Sequence, residues 1–235
     1  MKKGQVTVFL IAAVIILLIG VAFLLYLNKP FRFAGSASAQ DAINRFVLQC
    51  IENTAAKGVR ELGLQGGYYR LPSGHFEKGD YGIPYYFDRG ADFSPSIGTL
   101  ESEFSDYMDD RLPGCADFSE FGKQGVLVSA GNPSTSTGIQ ANRIVLSIAY
   151  PLTARVGDET VSLESFSYEL DSNYGLSHQV SKKLAEKLVN DPEYRDYTFI
   201  NSQPQIVSIL PQQSYTDIYI VVDRQYNFLF AARFR

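Results

Sequence analysis

From Val6 to Leu27 the chain runs for 22 residues without a charged side chain. As a helix rising 1.5 Å per residue, such a run would extend about 33 Å, enough for the hydrocarbon core of a bilayer. The apolar core of a secretory leader is usually shorter, about 7–15 residues. The run therefore reads as a retained transmembrane helix over residues 6–27. The small-residue site Ala37-Ser38-Ala39 lies too far beyond it for conventional cleavage. Lys2 and Lys3 flank one end, Lys29 and Arg32 the other. With so short a segment before the span, the expected topology is a single-pass signal anchor. Residues 1–5 stay in the cytoplasm, the helix crosses the cell membrane, and the large C-terminal domain lies outside.

Beyond the run, residues 28–40 include the small-residue stretch FAGSASAQ and read as a linker, which leaves 41–235 as one domain. That length suffices to bury a sizeable core. The net charge is −4, and −6 without Lys2 and Lys3, so no basic stripe marks a nucleic-acid binder. There are two cysteines, Cys50 and Cys115. In a reducing compartment they read as two buried thiols, and in an oxidising one as a disulfide. A loop of 65 residues closed by that crosslink would gain roughly 4 kcal/mol on the chain-entropy model.

Apolar positions then alternate between two periods. Asp41 to Leu64 has helical spacing, with Ile43, Phe46, Val47, Cys50, Ile51 and Leu62 on one face and Gly66-Gly67 as the stop. YYRLP and GIPYYFDRG read as short aromatic strands. A second helix starts at Ser94-Pro95 and runs to about Leu112, ended by Pro113-Gly114. GVLVSAG, ANRIVLSIAYPLTARV and ETVSLESFSYEL alternate as strands, with NPSTSTG and VGDE as connections. A third helix covers about Leu176 to Asn190, with Ser177 as its N-cap. QIVSIL, TDIYIVVD and NFLFAARF close the chain as strands. The expected fold class is α+β: an N-terminal transmembrane helix, then one exported domain with an antiparallel sheet in meandering order and about three packed helices.

The residues for chemistry are few. His75 and His178 lie outside any motif and read as surface histidines. Glu101, Glu103, Asp106, Asp109 and Asp110 share a helix and point in different directions, which suits a solvated face better than a calcium site. GLQGG is neither a dinucleotide fingerprint nor a P-loop, and helix capping explains it. No catalytic, metal or cofactor-binding residue is expected. The dense aromatic set Tyr68, Tyr69, Tyr81, Tyr85, Tyr86 and Phe87 can form either a packed sheet or an exposed contact surface, since a rigid ring with a hydroxyl loses little entropy on binding.

The border Lys2-Lys3-Gly4-Gln5, with Thr7 and the apolar run, resembles the class III signal of archaeal type IV pilin-like proteins. That resemblance implies a processing site between Gly4 and Gln5, cut by a prepilin-type peptidase. The family pattern has a glutamate where this chain has Phe9, and that carboxylate serves subunit assembly. VLQCIENTAAKGVRELGLQGGYY, IPYYFDRG, PSIGTLESEFSDYMDDRLPGCADF and YPLTARVGDETVSLESFSYEL resemble an uncharacterised family of single-span, exported-domain proteins of small-genome, Woesearchaeota-like archaea. The resemblance implies the same layout, with two cysteines at these places.

Together these features lead to a membrane-anchored extracytoplasmic envelope protein, a non-enzymatic interaction module. Its expected partners are the membrane and another envelope protein or surface component, with Tyr68, Tyr69, Tyr81, Tyr85 and Tyr86 as the candidate contact surface. The alternative is a pilin-like subunit of a surface filament. A third reading is a cell-surface hydrolase, which would need carboxylates brought together by the fold.

Overall fold

The computed structural model describes residues 16–21, 35–79, 81–191 and 197–235. It corrects the expected N-terminus. Among the described residues no helix is long and apolar enough to cross a membrane. Of the 6–27 run, only 16–21 are described, as a helical stretch. The lack of such a helix among the described residues overturns the expected transmembrane helix and, with it, the single-pass membrane location. The rest of that run and Gly4-Gln5 lie outside the described residues.

Helix α1 (Ser36–Leu64) is longer than the spacing predicts and takes in residues 36–40 of the presumed linker. Its buried stripe, Ile43, Val47, Cys50, Ile51, Ala55, Val59 and Leu62, keeps the three-to-four spacing of one helical face. Gly66 and Gly67 end it at positive φ, 55° and 90°. Gly67 N–H donates to the carbonyl of Leu62 at 2.7 Å, a glycine-dependent helix stop. A Cβ at Gly66 would lie 2.6 Å from Pro84 Cγ, so space as well as conformation demands glycine.

Helix α2 (Ile97–Cys115) starts one turn later than Ser94-Pro95. Ser96 is its N-cap, and its hydroxyl accepts from Thr99 N–H at 3.1 Å. It runs through Pro113 to Cys115, which forms a disulfide with Cys50 across a Cα–Cα distance of 5.7 Å. The bridge ties the middle of α1 to the end of α2. Helices α3 (Ser119–Lys123), α4 (Tyr174–Asn190) and α5 (Tyr197–Ser202) follow.

The expected single antiparallel sheet is corrected to two. One has six strands, β1 (His75–Lys78), β2 (Tyr81–Asp88), β3 (Ala91–Asp92), β8 (Ile206–Gln212), β9 (Thr216–Val222) and β10 (Asn227–Arg233). Their order is β1-β2-β10-β9-β8, with β3 on β2, and β2 and β10 run parallel. The short-connection rule fails at this pair because its two strands belong to opposite ends of the domain. The other sheet has β4 (Val126–Ala130), β5 (Ser134–Ile139), β6 (Arg143–Val156) and β7 (Glu159–Asp171). Here β4 and β5 lie end to end along one side of β6, and β7 lies along the other. NPSTSTG, read as a connection, therefore supplies a strand.

One core spans both sheets. Ile144, Leu146 and Ile148 face inward from β6, while α1 packs on β7, α2 and β10. Across the larger sheet, Tyr86 stacks on Phe230 at 4.9 Å and Phe230 on Tyr219 at 4.8 Å. Much of the aromatic richness is thus core, worth about 0.5–1.5 kcal/mol per ring pair beyond burial.

Candidate functional site

The aromatic stretch after α1 does not form its expected first strand. Residues 68–72 are non-strand because the backbone N–H groups of Tyr69 and Arg70 donate to Glu103 Oε2, at 2.8 and 2.9 Å, instead of to a ladder. The acids of α2 are therefore not a merely solvated face. Glu103 holds this segment, Glu101 accepts from Ile139 N–H at 2.9 Å, and Asp110 accepts from the Tyr69 hydroxyl.

The segment turns at Pro72-Ser73-Gly74 and lies over the end of β2. With Tyr68, Tyr85, Asp88 and Phe93 it lines a cleft of about 270 Å³. Phe93 reaches the cleft through a two-residue hairpin between β2 and β3. Arg89 and Gly90 both have positive φ there, 47° and 92°. Phe93 N–H then donates to the carbonyl of Tyr86 at 2.8 Å, and the residue stands 57% exposed at the rim.

Asp88, in the lining, pairs with both Arg89 and Arg233, and the Arg233 pair is bidentate. Arg233 donates to both oxygens of Asp88, at 2.7 and 2.6 Å, and its guanidinium lies 4.6 Å from the Tyr85 ring centre. The Arg233 hydrogen bond holds the Asp88 carboxyl below its ordinary value. Burial, and then the charge of Glu103, raise the Tyr68 phenol above its ordinary value. The lining presents three aromatic rings, a proline and a carboxylate anchored by Arg233, which are groups for recognition.

No protein-family model, curated protein or solved structure matches the chain.

The five tyrosines of the candidate surface have separate fates. Tyr68 lines the cleft half-buried, and Tyr85 lines it while almost wholly buried. Tyr86 belongs to the core, its hydroxyl donating to the carbonyl of Gly66 at 2.7 Å. Tyr81 is exposed on the β1–β2 hairpin. Tyr69 packs edge-on to Tyr107 at 5.4 Å, between Arg70 and Arg111. Phe93 and Arg233 escaped the sequence reading. The Asp88-Arg89-Gly90 turn signal was the one cue to Phe93, and nothing local points from Arg233 to a partner 145 residues away.

The histidines need correction as well. His75 lies on β1, half-buried, with Nδ1 2.8 Å from the carbonyl of Pro72. His178 is buried in α4, its Nε2 2.8 Å from the carbonyl of Pro95. Burial lowers its pKa. Ser177 is not an N-cap. Asn173 takes that position, and Ser177 is buried in the first turn of α4. Among the described residues no group of three or more His, Cys, Asp or Glu side chains could hold a metal ion.

Proposed function

We propose that this domain is a non-enzymatic interaction module that captures another protein or surface component on the Tyr68–Tyr85–Phe93 cleft. The observation that carries the reading is Phe93: a large aromatic ring held in solvent at the rim of an aromatic cleft, on a hairpin of fixed geometry. Exposed aromatics beside a desolvated anchor are the side chains that dominate binding energy at interfaces. The bidentate Asp88–Arg233 pair supports the reading further, because it holds Tyr85 in place before any partner arrives. The Cys50–Cys115 disulfide supports work in an oxidising compartment.

The full chain, immobilised as bait, tests the proposal with Phe93→Ala and Tyr68→Ala. Phe93 lies outside the core and Tyr68 packs against it half-buried, so melting should stay close to that of the parent chain for Phe93→Ala and fall modestly for Tyr68→Ala. Capture of the partner retained by the parent chain should weaken by at least about thirtyfold, the loss of one interface anchor. Undiminished capture by both variants would remove the cleft from the function.

A further inference from the structure

A second, larger cleft of about 620 Å³ opens where the ends of the two sheets meet. It is bounded by the β5–β6 turn, the end of β7, the first turn of α4, the start of β8 and the β9–β10 turn. One wall is rigid. A Cβ at Gly175 would collide with the carbonyl of Gln140, and Leu176 N–H donates to the carbonyl of Ala141 at 3.0 Å. These contacts fasten the start of α4 to the β5–β6 turn, and Ser172 N–H fixes the turn again through the carbonyl of Asn142 at 3.1 Å.

The floor is a buried polar network. Ser177 Oγ donates to the carbonyl of Asn173 at 3.2 Å. It accepts from Gln205 Nε2 at 2.6 Å and from the Tyr226 hydroxyl at 2.7 Å. Gln205 Oε1 and Ser172 Oγ are both buried near the Tyr226 hydroxyl, and neither has a hydrogen-bond partner of good geometry. Both residues line the cleft and are only 6% exposed each. A buried polar atom left unpaired costs about 1–3 kcal/mol, so two at one floor mark a place built to meet something.

The rim tells what that something is. Asn142, Asp171 and Gln225 lie in solvent around the mouth, and Asp223 is held by Asn173 Nδ2 at 2.9 Å. Among the described lining residues, two carboxylates, Asp171 and Asp223, against one cation, Arg224, disfavour an anion such as phosphate. Planar amides and carboxylates pair well with groups that donate and accept at once, which describes neighbouring hydroxyls. Leu176, Pro204 and Val222 supply the apolar patches on which a ring's C–H face can lie. We infer that this cleft binds a neutral, hydroxyl-rich ligand, a short oligosaccharide, whose hydroxyls pair with Gln205 and Ser172 at the floor and with Asn142 and Asp171 at the mouth. This site is separate from the aromatic cleft and does not rest on it.

The test is a titration of the full chain, followed by amide NMR, with maltotriose, mannotriose and tri-N-acetylchitotriose. Inorganic phosphate and a lysine-containing tripeptide run in parallel. At least one trisaccharide should move the resonances of Ser172, Gln205 and Asp223. Asn142→Ala and Asp171→Ala, both at exposed positions, should each weaken that binding about tenfold. Gln205→Leu should weaken it further if the variant folds. Phe93→Ala should leave the titration unchanged, which separates this site from the aromatic cleft. Shifts with phosphate or the tripeptide alone, no shift with any sugar at up to about 10 mM, or rim variants that bind like the parent chain would each overturn the inference.

Discussion

The two sheets are built on different principles. The four-stranded sheet is local: β6 and β7 form a long hairpin around Gly157, and β4 and β5 join the same β6 from just upstream. Much of β7 is in solvent. The six-stranded sheet is non-local, because β2 and β10 meet from opposite ends of the domain, and most positions of β2, β9 and β10 are buried. A hairpin closes at small entropic cost, whereas a pairing across most of the chain must be held by packing. The aromatic cleft is built on the non-local sheet, and the larger cleft lies where that sheet meets the local one, so what the domain can bind depends on the half that depends most on tertiary contacts.

That comparison can be broken first at the aromatic stack. Phe230→Ala removes the ring between Tyr86 and Tyr219 and should cost about 3–5 kcal/mol in urea denaturation. A cost under about 1 kcal/mol would mean the stack is not what holds the non-local sheet. Next is the staple. Cys50→Ser with Cys115→Ser should cost roughly 2–4 kcal/mol, read as a lower denaturant midpoint, because the reduced chain regains the freedom of a 65-residue loop.

A smaller effect depends on pH. His178 has a folded pKa below its ordinary value of about 6.5, because burial disfavours its charged form. The unfolded chain then binds a proton that the folded chain does not. Stability should therefore be level above about pH 6.5 and fall as pH drops from there toward the folded pKa. His178→Gln should flatten the fall over that window, as measured by melting temperature against pH. The smallest effect belongs to the local sheet: Thr160→Ala, exposed near the start of β7, should change stability by no more than about 0.5 kcal/mol.

The same division explains what could be read in advance. The α1 stripe, the glycine stop, the alternation of β6 and the Cys50–Cys115 pairing all depend on neighbours in sequence or on two unique residues. Their patterns survive in the chain as written. The β2–β10 pairing leaves no such trace, and neither does Arg233 on Asp88. Tyr85 and Tyr86 are adjacent and chemically identical, yet one lines a cleft and the other stacks in the core. Only the pleat and the position of β10 separate them. Ser172 and Gln205 were unremarkable as polar residues until the fold brought them to one floor and left each with an unpaired atom.

The central claim is that capture runs through the aromatic cleft. Replacing Phe93 with a photo-crosslinking phenylalanine analogue, and Leu127 likewise on the exposed face of β4, tests it directly. After irradiation with the captured partner, position 93 should give one discrete adduct and position 127 none. Equal yields at both positions, or adducts at 127 alone, would contradict the account.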